Sequence, residues 1–391
     1  MGPVSFAALA LVGVVALLGP LLTLPRRLRV PVVVGELLAG LLVGATGLGL
    51  VDAREPTFAF LGQVGFALVM FLVGTNVPVR DPALRRGAGR GLLRAALAGV
   101  LAVPLAAVLS AAFGTGHTGL YAVLFASSSA ALVLPVLDGV TLPARERDEL
   151  LTQVAVADAA TIVALPLVLE PDAGLRAGVG VLVVGASGVV VFLLLRTAER
   201  RGARRRLHRV SEKHRLALEL RVSLMLLFAV AALALAVHVS VLLAGFTLGL
   251  AVAGVGEPRR LARQVFGLTE GFLGPLFFVW LGASLDLRAV ASHPSSLVLG
   301  LALGLGALAV HAVGVLTGQP GGLAVLSGAQ LGVPVAAVTL AGQLGVLAPG
   351  EGVSLLVGAL VTIGAVSVVG ARLGRAAHPA DTGGGGPDVR A

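Results

Sequence analysis

At 391 residues, with 57% hydrophobic and 13% charged residues and a mean hydropathy of +0.99, the chain has too few polar groups to cover itself with a water-facing surface; a soluble domain carries about a quarter charged residues. The formal net charge of +9 comes from 29 basic against 20 acidic residues, and there is no cysteine, which excludes disulfides, thiolate metal sites and thiol nucleophiles.

Apolar runs recur along nearly the whole chain, each near the roughly 20 residues that a bilayer-spanning helix needs. They are continuous, without the ten-residue alternation of a barrel, so the expected fold is all-α and polytopic. The windows predict about thirteen spans, at approximately 4–23, 30–50, 57–78, 95–114, 118–138, 150–169, 175–195, 217–236, 238–255, 265–286, 296–317, 321–346 and 352–371. The first carries no basic residue before Arg26, so a spanning helix is expected there and not a cleaved leader. The eighth and ninth run together around His238, which leaves twelve spans open. Residues 1–375 are therefore expected to form one transmembrane domain. Residues 376–391, with Gly383–Gly386, are expected to form a disordered cytoplasmic tail.

With the N-terminus outside, 26 of the 29 basic residues fall on cytoplasmic connections, and only Arg54, Arg176 and Arg288 on the other side. That asymmetry supports the topology, with the C-terminus in the cytoplasm. The cluster from Arg196 to Arg221 lacks aromatic platforms and sits between spans. It reads as a topogenic loop near anionic lipid, and no nucleic-acid partner is expected.

Ionisable groups at membrane depth cost on the order of 3 kcal/mol each, so they mark function by default. Asp158 lies mid-span in Gln153-Val-Ala-Val-Ala-Asp-Ala-Ala-Thr161, and Thr161 shares its helix face three residues on. A carboxylate beside hydroxyls and carbonyls suits a proton or a hard monovalent cation; the bland alternative is a structural Asp bonded between helices. His311, mid-span in the eleventh window, is either a satisfied core histidine or a titrating partner for a carboxylate. Glu36 and Glu270 lie nearer span ends, where snorkelling or capping is expected. Gly40-Leu-Leu-Val-Gly44 permits close helix approach.

Two spans carry helix-breaking chemistry. The fifth has Ser127, Ser128 and Ser129 followed by Pro135; the twelfth has Ser327-Gly328-Ala-Gln330-Leu-Gly-Val-Pro334. Interrupted segments at matching places in two halves point to a transporter of inverted repeats whose site lies where they cross.

These stretches carry a family resemblance. Pro31-Val-Val-Val-Gly-Glu-Leu-Leu-Ala-Gly40, Phe71-Leu-Val-Gly-Thr75, Ser127 to Leu137, and Phe277-Phe-Val-Trp-Leu-Gly282 with Leu285-Asp-Leu287 follow one another as in the cation:proton antiporter-2 family. The chain resembles the membrane part of Kef-type and sodium/proton antiporters of the NhaA-like fold, over about residues 8 to 370. The resemblance implies a core and a dimerisation subdomain, elevator-like alternating access around two crossed, interrupted helices, and a homodimer in a bacterial cytoplasmic membrane. It places Asp158 at the family's essential carboxylate. Two departures stand out: Ala157 where relatives carry Asp, Asn or Gln, and His311 where many carry a basic residue, often Lys.

The expected activity is exchange of sodium or potassium for protons. Asp158 would bind one or the other, Ser128, Ser129 and Thr161 would supply oxygens, and His311 would tune or share the proton. Ser127, Pro135, Gly328, Gln330 and Pro334 would shape the crossing. No cofactor and no metal beyond the monovalent cation is expected, nor an enzyme, because no triad, metal cluster or phosphate loop is present in the sequence. The rival readings are a proton-coupled organic-solute carrier or channel-like conduit, and a membrane sensor without transport.

Overall fold

The computed structural model describes residues 6–23, 32–138, 140, 142–169, 174–203, 209–211, 214, 216–256, 259–285 and 294–377. The described residues form helices and connections only. In chain order these are α1 (Phe6–Ala16), α2 (Leu18–Thr23), α3 (Val32–Val43), α4 (Pro56–Asn76), α5 (Pro82–Arg86), α6 (Ala88–Phe113), α7 (Thr118–Ala126), α8 (Ala130–Asp138), α9 (Ala144–Leu169) and α10 (Gly174–Arg200). There follow α11 (Leu218–Ala236), α12 (Val241–Val255), α13 (Arg259–Leu268), α14 (Gly274–Ser284), α15 (Ser295–Ala312), α16 (Gly321–Ser327), α17 (Gly332–Leu344) and α18 (Glu351–Ala377).

Among the described residues nine segments are long and apolar enough to cross a membrane, and four shorter apolar ones accompany them: Leu9–Leu21, Val32–Val43, Thr118–Leu134 and Val241–Val255. The protein is a multi-pass membrane protein. The run around His238 resolves into two helices, because His238 takes a left-handed φ of 57° and the Ser240 side chain caps Leu242 N–H to restart the chain. Between α13 and α14 lies a single π turn, Thr269–Leu273. Pro275 has no N–H to return to residue 271, so the wider turn absorbs the missing bond.

Packing separates lipid-facing helices from enclosed ones. The stretch Gly321–Leu344 is 83% buried over its most apolar window, against 22% for Ala88–Phe113, so the second interrupted span lies innermost. α3 packs on α14, and α4 on α12, through small residues. A β-carbon on Gly40 would overlap the Val279 carbonyl oxygen, and one on Gly249 the Phe71 carbonyl oxygen. The Gly40–Gly44 expectation of close approach therefore has its partner in α14.

Of the two roles expected for Glu36, snorkelling or capping, burial excludes the first, since the residue is 4% exposed and lies against Gly19; Glu270 is exposed. α18 continues to Ala377, past the expected start of the tail at 376, and residues 378–391 lie outside the described residues. So do Arg26, Arg27, Arg29, Arg204–Arg206, Lys213, Arg215, Arg288 and Arg390 of the charge count, and Asp286 and Leu287 of the resemblance.

At one end of the bundle α7 is tied to α18. Glu351, its side chain 1% exposed, accepts from Tyr121 Oη at 2.6 Å, lies 2.7 Å from His117 Nδ1, and accepts from Ala348 N at 2.8 Å. Tyr121→Phe keeps the ring packing and deletes one donor to a buried carboxylate. It should cost about 1.5–3 kcal/mol, read as a lowered midpoint in thermal unfolding of the detergent-solubilised protein.

Candidate functional site

The first interrupted span breaks between α7 and α8. Ser127 leaves the helix at φ −73° and ψ 153°, its amide and hydroxyl both turned back to the Leu124 carbonyl, the hydroxyl at 2.8 Å. Ser127, Ser128 and Ser129 are all buried, and the new helix starts at Ala130. Every break in a membrane helix leaves amides and carbonyls without helical partners. The protein meets that cost with side chains from other spans.

Asp158 is one of them. It projects from the middle of α9, is 1% exposed, and accepts the Ala130 amide on Oδ2 at 3.3 Å. The carboxylate therefore sits at the N-terminal, positive end of α8. Among the described residues no Lys, Arg or His pairs with it. In the same chain break, two residues before Ala130, Ser128 Oγ is buried with no hydrogen-bond partner. An unpaired acid and an unpaired hydroxyl on this break are what a desolvated cation or proton requires. Thr161 is buried on the same helix, but its hydroxyl bonds the Ala157 and Asp158 carbonyls at 2.7 and 3.1 Å. Ser129 is buried, and its carbonyl starts the hydrogen-bond ladder of α8. Pro135 falls inside α8.

The second interrupted span breaks between Ser327 and Gly332. Gly328 closes α16, and Leu331, at φ −145° and ψ −61°, leads into α17, where buried Pro334 occupies the first turn, a place where no N–H is needed. Gln330 joins the two breaks: its amide N–H bonds Thr362 Oγ1 at 3.2 Å, and its side-chain Nε2 donates to the Leu124 carbonyl at the end of α7.

His311 joins them a second time. It is 1% exposed on α15, with Nε2 3.1 Å from the Ser127 carbonyl and Nδ1 3.3 Å from Ser327 Oγ. The ring thus lies at the C-terminal, negative ends of α7 and α16, while Asp158 lies at an N-terminal end. His311 and Asp158 make no hydrogen bond or ion pair with each other. They act on the two sides of one short segment, Ser127 to Ala130.

Three features here were not anticipated from the sequence. Gln153 on α9 donates Nε2–H to Ser327 Oγ at 3.1 Å and accepts from Gln319 Nε2 at 2.9 Å. Arg94, expected in a cytoplasmic connection, lies 3% exposed inside α6, in an ion pair with Glu149 at 3.0 Å, and bonds Thr317 Oγ1 at 2.8 Å. Arg86 and Arg145 bind the neighbouring acids of α9, Asp148 at 2.5 Å and Glu149 at 2.9 Å. The start of the helix that carries Asp158 is thus pinned by three arginines. Gln153 and Arg94 have no local signal, because their partners lie up to 223 residues away in sequence.

Comparison with known proteins bears on this geometry. The family model for the sodium/hydrogen exchanger transmembrane region matches residues 13–382. The chain is 26% identical over 314 residues to the putative Na+/H+ antiporter YjbQ of Bacillus subtilis, covering 76% of this chain and 50% of that protein. It is 27% identical over 305 residues to the glutathione-regulated potassium-efflux system protein KefC of Escherichia coli, covering 75% and 47%. The chain thus spans about half the length of these two relatives. Among solved structures, the sodium proton antiporter MjNhaP1 of Methanocaldococcus jannaschii superposes with a TM-score of 0.62 at 17% identity, covering 95% of this chain and 98% of that one. That likeness establishes a shared fold. With the family model matched along almost its whole length, the chain belongs to the transmembrane sodium/hydrogen exchanger family.

Proposed function

We propose that the protein exchanges a monovalent cation, sodium or potassium, for protons, with Asp158 as the group that holds either passenger in turn. The observation that carries this reading is a buried carboxylate with no cationic partner at a helix break that also holds an equally buried Ser128 hydroxyl without a hydrogen-bond partner. One negative charge accepts one positive charge, so proton and cation compete, and competition couples their fluxes without a further device. Ser128, Ser129 and the carbonyls freed at the break are the oxygens from which the cation's shell would be completed. The names borne by the relatives, sodium/proton antiporters and a potassium-efflux protein, support the same substrate class.

On this reading the nine long and four short apolar segments make thirteen crossings of a bacterial cytoplasmic membrane. The N-terminus is outside, and the inverted repeats cross at Ser127–Ser129 and Gly328–Leu331. A core containing α5–α9 and α15–α18 would move against a dimerisation part formed by the remaining helices. The cavity of about 280 Å³ between Trp280, Ser284, Thr339 and Gln343 lies on the boundary of those two parts and gives water a way inward.

The test uses proteoliposomes enclosing a pH dye. External sodium, potassium and lithium are added in turn; at least one should drive proton movement, with half-saturation rising about tenfold for each unit of acidification in the range where protons outcompete the cation. Proton movement with no cation able to drive it, or a half-saturation that ignores pH, would defeat the proposal.

A further inference from the structure

Ser327 has one hydrogen and two neighbours that could receive it. Its hydroxyl lies 2.8 Å from the Ala324 carbonyl and 3.3 Å from His311 Nδ1. The Ala324 carbonyl needs a donor, because Gly328 N–H, its helical partner, turns to Val325 instead. The other ring nitrogen is settled by its neighbour. Nε2 faces the Ser127 carbonyl, which only accepts, so Nε2 carries a hydrogen. The amide of Gln153 donates to Ser327 Oγ, and its own oxygen accepts from Gln319.

We propose that Ser327 is a two-position hydroxyl switch that lets His311 gain and lose a proton inside the crossing with every ring hydrogen bond kept, and that Gln153 is the positioning residue that holds the switch in register. With the ring neutral, Ser327 O–H donates to Nδ1. When a proton arrives at Nδ1, the new N–H donates to Ser327 Oγ and the hydroxyl hydrogen rotates to the Ala324 carbonyl. One proton is added, none leaves, and no heavy atom moves. In the charged state Oγ accepts from His311 and Gln153 and donates to Ala324, so all its sites are used. The same rotation satisfies the loose carbonyl of α16 only when the ring is charged.

The helices packed on α15 are α18, α7, α6 and α16. Among the residues whose side chains are described, their ionisable groups are Glu351 and Arg372 on α18, Tyr121 on α7, and Arg90 and Arg94 on α6; α16 has none. Glu351 and Tyr121 bind each other, and Arg94 is bound to Glu149. None of them, nor Asp158 on α9, bonds His311; the Ser127 and Phe125 backbone carbonyls also bond the ring but only accept, so Ser327 is the partner whose hydrogen changes place with its charge. The inference rests on the antiport reading only for the use made of the proton.

The experiment is ring-nitrogen NMR of 15N-histidine protein in nanodiscs across pH 5 to 8, with the His311 signals assigned by difference from His311→Gln. Wild type should show a neutral ring with Nε2–H converting to a doubly protonated ring on acidification. Ser327→Ala removes the side-chain acceptor of the Nδ1 hydrogen and should lower the doubly protonated population at a given pH about tenfold. Ser327→Thr, which keeps the hydroxyl, should restore it, and Gln153→Met should give a smaller loss in the same direction. Should Ser327→Ala fail to fold, the Thr and Met variants decide alone. A ring that stays neutral throughout, or one whose protonation ignores both Ser327→Ala and Gln153→Met, overturns the proposal. Because the signal needs no flux, absence of exchange in wild-type vesicles would sink the antiport reading and leave this result standing.

Discussion

Asp158→Asn should reduce cation-driven proton movement in proteoliposomes below detection, by at least about 100-fold, with the folded population unchanged. Asn is isosteric, and its carbonyl oxygen can still accept the Ala130 amide that Asp158 accepts now. The helix break therefore keeps its partner. What disappears is the charge. A neutral amide neither takes a proton in the working range nor offsets the desolvation of a sodium ion, and the lost attraction is worth several kcal/mol at this depth. Each 1.4 kcal/mol is a factor of ten in binding. The same variant should show a native elution profile and thermal midpoint, which separates a lost passenger site from a lost fold. Full exchange by the Asn variant would contradict the assignment of this acid.

Arg94→Met should produce the largest loss of stability, about 3–5 kcal/mol. Arg94 and Glu149 are both buried, their side chains 3% and 8% exposed, and they pair at 3.0 Å. Arg145 also reaches Glu149, but its side chain is 71% exposed and its attraction is screened by water. Removing Arg94 leaves a buried acid with only that weak partner, and strips Thr317 Oγ1 of its donor. The damage is local to the start of α9, nine residues before Asp158, so the precision of the passenger site should suffer with it. Pairing the change with Glu149→Leu removes the stranded charge and should recover most of the loss. Chemical or thermal unfolding of the two single variants and the double variant measures the coupling.

Much of this architecture could be read from the chain. Asp158 stood out because a carboxylate in a 20-residue apolar run has few tolerable roles. The breaks at Ser127–Ser129 and Ser327–Leu331 stood out because hydroxyl, glycine and proline chemistry interrupts an otherwise uniform pattern. His311 was visible for the same reason as Asp158, and it bonds both breaks.

Other features had no local signature. Thr161 was placed by helical spacing, yet spacing does not say which way a hydroxyl turns, and its own backbone carbonyls are nearer than any cross-helix partner. Arg94 was counted with the loops because positive charge near a span end ordinarily faces the cytoplasm. The helix begins earlier, at Ala88, and Glu149 makes burial tolerable. Glu36 was expected to snorkel or cap because it lies nearer a span end, but it is buried against Gly19 and does not snorkel. Gln153 and Gln319 are unremarkable in sequence and form a chain with Ser327 only after folding. Neutral polar residues of that kind are common in membrane spans as packing elements, so their role shows only in which atoms face which.

The most direct test of one buried acid serving two passengers needs no membrane. Purified protein in weakly buffered detergent, titrated with sodium and then potassium chloride against choline chloride, should release close to one proton per cation bound, followed by a pH dye. Asp158→Asn should release none. Cation binding with no proton released, or release that persists undiminished in the Asn variant, would show that the two passengers do not share this carboxylate.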